Sequence, residues 1–527
     1  MAAPASAPPA EGKPLGSGRG AMWVTAGILL SRIFGLVRQR VIGHYFGIGA
    51  FADVIVAAFR IGNIAQNLLG EGTLSASFIP VYARTRAKGE SGDASRFALS
   101  ALGFLLLAVA AVSAVGVALA PLLTRLIAPG FEGDRLALTK SAVRVLFPTT
   151  GLLVLSAWGL GVLNAHRRFF LAYAAPTVWS AAQIAALLAF GEGLGLDDES
   201  LLTVLVWSAL GGAVLQLLVL LPAARTLLGG LRPRLDYAAP GLREAVVRLP
   251  SALLGRGVLQ LSGLIDIALV SFFGTGAQAT MNTAQLIYFL PMAILGTGEA
   301  AASLPDMASD MAEPDVEIRN ARLRSRLGGS LARVTTLTVS ATLVLALFGG
   351  ELIRVCLESG RFDEAATERV RQIVLVYAFA LLGNASARVF TTTAWALGDT
   401  GTPARYAVFR VVVSTVGSLL LMQWLEVAGV VLGAVIAAWV ETFALGWKLR
   451  KQIGGLGLEL IPFARIILLG MAAAAPALLT RWALPPAFAR TFIGSSLVLV
   501  VFGFAFAIAA PLLGLFDLRS RLRGTRA

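Results

Sequence analysis

Cysteine and histidine are nearly absent from this chain: one cysteine, Cys356, and two histidines, His44 and His166, among 527 residues. No disulfide framework, zinc site or haem attachment can be assembled from that set. A phosphate-cradling G-x-x-x-x-G-K-[ST] run is also missing, since Gly12-Lys13 leads straight into Pro14 in the N-terminal stretch. ATP hydrolysis by this chain is therefore not expected. Charge is scarce as well: 14% of residues are Asp, Glu, Lys or Arg, against about 25% in an ordinary soluble domain.

Apolar residues fill the space that charge vacates. They make up 57% of the chain, the mean hydropathy is +0.78, and runs of membrane-spanning length recur from end to end. That composition belongs to an all-α polytopic membrane protein and excludes a soluble enzyme. The 44 Lys+Arg outnumber the 30 Asp+Glu, for a formal charge of +14. Because the basic residues sit between apolar segments, they read as topology signal and contact with anionic lipids, with no nucleic acid partner.

Residues 1–20, rich in Pro, Ala, Gly and Ser, are expected to be a disordered cytoplasmic tail. The first apolar stretch contains Arg32 and Arg38 and lacks a small-residue cleavage site, so it does not read as a removable signal peptide. Fourteen spans are expected, at 21–45, 53–83, 97–127, 137–164, 170–191, 200–222, 245–273, 279–304, 331–356, 369–396, 405–424, 429–449, 461–483 and 491–514. Every even loop is basic, from Arg84, Arg86 and Lys88 after span two to Arg519, Arg521, Arg523 and Arg526 after span fourteen. Odd loops are nearly uncharged, acidic or mixed. Positive residues stay inside, which places both termini in the cytoplasm.

The chain also resembles itself. Phe46-Gly47-Ile48-Gly49-Ala50 recurs as Phe273-Gly274-Thr275-Gly276-Ala277, and Leu69-Gly70-Glu71-Gly72 recurs as Leu295-Gly296-Thr297-Gly298. Leu123-Thr124-Arg125 faces Leu352-Ile353-Arg354 further along at almost the same offset. Ordered matches of this kind suggest duplication of a six-span unit, whose even number of crossings gives both copies one orientation. The expected organisation is an N-terminal six-helix lobe at 21–227 and a C-terminal one at 228–450. Two extra spans at 451–514 and a basic cytoplasmic tail at 515–527 complete the chain.

Charges inside the spans carry the functional signal, because each costs at least about 2.5–3.5 kcal/mol at a helix centre unless it faces water or a partner. The first two spans hold Arg32, Arg38, Arg40, Asp53, Arg60 and Glu71. Arg32 and Arg38 fall about 120° apart on an ideal helix, and Gly35 between them permits a bend toward one cavity. A structural ion pair among Arg60, Asp53 and Glu71 competes with that reading. In the second half, Arg256 is the counterpart cation. Asp266 and Glu441 fit either a proton or sodium site or an interhelical salt bridge. Clustered guanidinium groups suit a phosphate-bearing substrate, which they bind through paired hydrogen bonds; an exporter of lipophilic cations would instead want carboxylates there.

The run Ser31-Arg32-Ile33-Phe34-Gly35-Leu36-Val37-Arg38, followed by Phe46-Gly47, Asp53, Ala58-Phe59-Arg60-Ile61-Gly62-Asn63 and Gly70-Glu71-Gly72, resembles the bacterial lipid II flippase family, MurJ, also called MviN. The likeness is dense across roughly 25–85. It implies two six-helix lobes around a central cavity plus two C-terminal helices. It further implies an inner-membrane transporter, with no catalytic residue and no cofactor, that moves the undecaprenyl-pyrophosphate-linked peptidoglycan precursor between leaflets, next to the peptidoglycan synthesis machinery. By the same resemblance Arg32 and Arg38 hold the pyrophosphate; Arg60 and Arg256 join them on the reading of the charges within the spans. Ser31, Gly35, Asp53, Asn63 and Glu71 support the cavity, and 461–514 accommodates the polyprenyl tail. This chain departs from the family pattern at Gln39, at Gln66-Asn67 and at Gln285, where the family carries an acid or basic residues. Those losses keep open a flippase for another polyprenyl-linked glycan and a non-transporting scaffold in the envelope-synthesis machinery; a cation-coupled drug or metabolite antiporter is a separate alternative.

Overall fold

Backbone polar groups in hydrocarbon must be satisfied within their own segment, so an apolar chain of this length is driven into helices. The computed structural model describes residues 17–88, 91–311, 313–457 and 461–512, and among them there is no strand, only an isolated bridge between Ser359 and Phe362. The expected tails at 1–16 and 515–527 lie outside the described residues.

The first half comprises α1 (Ser17–Phe46), α2 (Ala50–Leu69), α3 (Glu71–Ala87), α4 (Ser91–Ala118), α5 (Ala120–Ile127), α6 (Gly133–Ala165), α7 (Phe169–Ala174), α8 (Pro176–Gly191) and α9 (Asp198–Leu228). The second comprises α10 (Leu242–Val270), α11 (Ala277–Asp310), α12 (Val316–Cys356), α13 (Glu364–Ala378), α14 (Ala380–Ala396) and α15 (Gly401–Ile453). A final group follows: α16 (Ile461–Ala483), α17 (Pro486–Ala489) and α18 (Phe492–Leu512). Helix runs through the described residues of each expected span, and eight stretches are by themselves long and apolar enough to cross a membrane. Helix α1 starts at Ser17, inside the stretch expected to be tail, because no proline follows Pro14 to stop it.

Several expected spans are interrupted. Gly70 breaks the second into α2 and α3, and Pro176 separates α7 from α8. Helix α15 contains two expected spans joined by a reversal at Glu426, whose φ of 48° lies in the left-handed region. The two arms then run back along each other, with Ser418 Oγ donating to Val430 O at 2.9 Å.

Beyond Arg144, helix α6 is apolar on all sides, and it becomes the hub of the first half. It packs against α2, α3, α4 and α9. Trp158, two turns before its C-terminal end, is fully buried, donating Nε1–H to Ala98 O at 3.1 Å, next to the stacked rings of Phe78, Phe97 and Tyr82. In the second half α11 to α15 pack on one another, and α10 reaches back to α2 and α3. One apolar core, which includes Val54, Ala58, Ile267, Ala284 and Val374, crosses from one half to the other. Helices α16 and α18 pair and lie on α12.

Removing the indole at the hub tests this packing. Trp158→Ala should cost about 3–5 kcal/mol, as large buried truncations do. A lowered midpoint for thermal unfolding of the detergent-purified protein is the expected readout.

Candidate substrate site at the seam between the halves

Helix α2 presents a stripe of polar residues at seven-residue spacing, Asp53, Arg60 and Asn67, which places them on one face over four turns. The surrounding positions are small or apolar, so this face is the polar lining of an otherwise apolar seam. At 1.5 Å per residue, Arg60 lies about 10 Å deeper than Asp53.

Asp53 is completely buried. Its Oδ2 accepts from Arg135 Nη2 at 2.8 Å and from the Gly276 N–H at 2.7 Å, and its Oδ1 accepts from the Ala279 N–H at 2.9 Å. Gly276 and Ala279 form the N-terminal turn of α11, whose unpaired N–H groups and positive dipole end favour a carboxylate. Gly276 is required here: with φ of +90°, a Cβ on it would collide with Ile48 O. The two repeated Phe-Gly-x-Gly-Ala turns therefore meet at this point and close the seam at its odd-loop end. The ion pair anticipated for Asp53 forms with Arg135 of α6, not with Arg60, which lies two turns, about 10 Å, further along the same face.

Arg60 lies against Gly263 of α10 and is the electrostatic neighbour of Asp266. Its Nε is buried with no hydrogen-bond partner. Arg38, at comparable depth on α1, stacks its guanidinium 4.5 Å from the Trp179 ring centroid of α8, while Nε and Nη1 are buried without a hydrogen-bond partner. A cation over an indole face gains some stabilisation, yet two unsatisfied buried N–H groups remain costly. Helix α1 is unbroken through Gly35, so Arg32 diverges from Arg38 and is exposed, as is Asn63; Ser31 is half-buried.

Asp266 also has Arg410 as an electrostatic neighbour, and Arg410 Nη1 donates to Glu441 at 2.9 Å. Glu441 is thus held in an interhelical salt bridge. Near them Asn384 Nδ2 donates to Tyr288 Oη at 2.7 Å. Among the described residues no cluster of His, Cys, Asp and Glu has the makings of a metal site. The side chains of Arg256 and Glu71 lie outside the described residues, although both positions are helical. Gln39 lines a small cleft with Ile42, Ala279 and Thr283, and Gln66 and Gln285 are half-buried.

Sequence reasoning missed Arg135, Trp179 and the role of Gly276. Arg135 sits in an odd loop of mixed charge, and Trp179 lies in a span with no charged neighbour. Gly276 was visible as part of the repeat, but nothing in the repeat says that its amide meets an acid 223 positions away.

Two packed helical halves, with the partly unsatisfied Arg60 guanidinium at the seam and one end of it sealed, form a multi-pass membrane transporter. The family model described as lipid II flippase MurJ matches residues 42–503, and the chain belongs to that family. A probable lipid II flippase MurJ of Rhizobium tropici is 31% identical over 426 residues, covering 80% of this chain and 79% of the relative. The lipid II flippase MurJ of Burkholderia cenocepacia is 28% identical over 442 residues, covering 82% and 84%. Among solved structures, a lipid II flippase MurJ in an inward closed conformation superposes with a TM-score of 0.75 at 17% identity, covering 93% of this chain and 98% of that one. An inward-facing multidrug resistance MATE family transporter shares the fold with a TM-score of 0.65, also at 17% identity, covering 83% and 98%.

If Asp53 seals the seam, Asp53→Asn strands Arg135 and loosens the N-terminus of α11. Breaking one partner of a buried pair costs about 3–5 kcal/mol. The thermal midpoint of the purified variant should fall accordingly, and an unchanged midpoint would show that the contact bears no load.

Proposed function

We propose that this protein carries the undecaprenyl-pyrophosphate-linked peptidoglycan precursor from the cytoplasmic to the periplasmic leaflet of the bacterial inner membrane by alternating access. The reading rests on the family and on one observation in this chain. Arg38 holds two buried N–H groups without an acceptor, stacked on Trp179 of α8, while Arg60 carries a further unpaired N–H against α10 of the other half. An oxyanion with several acceptor oxygens supplies what those groups lack, and hydrogen bonds to charged groups contribute about 1.5–3 kcal/mol each.

In this scheme both termini are cytoplasmic and the odd-loop face is periplasmic. The two halves are the moving bodies. Asp53, Gly276 and Arg135 close the periplasmic end, and the pyrophosphate enters from the cytoplasmic side past Arg32 and Asn63. It meets Arg38 and Arg60, with Arg256 as the second-half cation, while the lipid tail stays in hydrocarbon along 461–514. Arg60 exchanges its neighbour Asp266 for the substrate. Breaking the Asp53 contacts then opens the outer end. No bond is made or broken in the substrate. A potential of ~100 mV, inside negative, is worth about 2.3 kcal/mol for each charge moved and favours outward passage of an anion. Basic even loops meet anionic lipids, and the precursor is handed to the peptidoglycan synthesis machinery outside.

Arg38→Ala and Arg32→Ala should each fail to support growth of a flippase-depleted strain while the protein stays in the membrane at normal abundance. In proteoliposomes, Arg38→Ala should slow lipid II translocation about tenfold or more, the equivalent of at least 1.4 kcal/mol. Normal growth with both variants would reject the assignment.

A further inference from the structure

The end of α12 and the hairpin after it lie outside the proposed substrate site, yet they touch all three parts of the molecule. At Phe348 the helix departs from helical geometry (φ −123°, ψ 18°) before resuming through Gly349 and Gly350 to Cys356. The kink separates a short terminal segment from the body of α12. The chain then turns through the Ser359–Phe362 bridge into α13.

On one side this segment is fastened to the C-terminal helix pair. Phe348 is fully buried with its ring 5.5 Å from that of Phe502 in α18. Glu351, only 5% exposed, pairs with Arg481 of α16 at 3.3 Å, and Arg354 donates to Ser495 Oγ of α18 at 3.2 Å. Glu351 also has Arg371 of α13 as an electrostatic neighbour, and losing the Arg481 partner of so buried a carboxylate is costly, which ties the segment to α16.

On the other side it is fastened to the first half. The Arg361 N–H donates to His44 O at 2.9 Å, and the Arg361 guanidinium pairs with Asp198 at the start of α9. Arg40 of α1 donates to Val355 O at 2.7 Å and to Glu358 O at 3.0 Å. These contacts place a cation on carbonyls at the C-terminal end of α12, where the helix leaves them unpaired and its dipole end is negative. The backbones meet directly: Gly360, at φ +55°, has room for no Cβ, which would lie 2.6 Å from His44 O.

We infer that Gly349–Glu364 is a strut that transmits the position of the α16–α18 pair to the closed face between the halves. Displacing the pair withdraws Arg481 from Glu351, the segment pivots at Phe348, and the Arg361 and Arg40 contacts with the first half loosen. The C-terminal pair thereby biases the opening of the seam. The inference rests on the alternating-access reading proposed above, but not on the identity of the cargo.

Spin labels at Leu194→Cys and Ala365→Cys, both exposed positions flanking the Arg361–Asp198 contact, report its separation in the full-length protein carrying Cys356→Ser in proteoliposomes. Arg361→Ala should increase the long-distance population. The decisive variants are Arg481→Ala and the near-isosteric Glu351→Gln, which lie at the far end of the strut. Each should raise that population about fivefold or more, the lower end of ordinary intersite coupling, and Arg481→Lys should restore most of the short distance. An unchanged distribution in both Arg481→Ala and Glu351→Gln overturns the strut, as does an unchanged distribution in Arg361→Ala. Lipid II translocation measured in the same vesicles separates the two ideas. Distances that respond as expected without any lipid II transport support the strut and count against the proposed cargo.

Discussion

A carboxylate with no surface exposed to water can persist in an apolar protein only while its oxygens are satisfied, and Asp53 meets that condition with groups drawn from two other helices. It comes from α2, its counter-ion Arg135 from α6, and its amide donors from the first turn of α11 in the other half. The register of the two halves at one end of the seam follows from this single requirement. So does the approach of the two glycine turns, since Gly276 must come within contact of Ile48 for its amide to reach the acid. An apolar seam alone would tolerate sliding; a fully satisfied buried charge does not.

The opposite end of the seam is held differently. Its best-defined ion pair, Arg84 with Glu244 at 2.7 Å, is exposed on both sides. Exposed pairs of this kind contribute ~0–1 kcal/mol. That end is joined instead by apolar packing, with Leu242 and Ala245 of α10 buried beside Phe78 and Val81 of α3.

Much of the fold was legible because the membrane imposes a coarse code. Span-length apolar runs and alternating basic loops located the helices, and the repeat brought together the turns that do meet. What remained hidden depended on direction and partner. Nothing in the spacing of Arg60, Asp53 and Glu71 shows that Asp53 meets Arg135 and the first turn of α11 while Arg60 meets Asp266, because those partners are set by packing against helices far away in sequence. Gly35 suggested a bend that α1 does not make, since glycine permits a kink without causing one. Trp179 carried no signal at all: an aromatic in an apolar span reads as core until a guanidinium is found lying across it. The reversal at Glu426 was placed correctly between two spans, but its tightness was not foreseeable from a sequence without glycine or proline at the turn.

The long sequence separation inside the Asp53 contact has a consequence for biosynthesis. Arg135 emerges from the ribosome soon after the acid, but Gly276 lies 223 residues downstream. At about 5–20 residues per second that is a wait of roughly 10–45 s. During this interval the nascent first half already owns its hub around Trp158 and can settle as a bundle, while the acid sits at an unfinished edge with one counter-ion. Translation itself thus imposes an order of assembly, in which the arrival of the second glycine turn is the event that docks one bundle against the other.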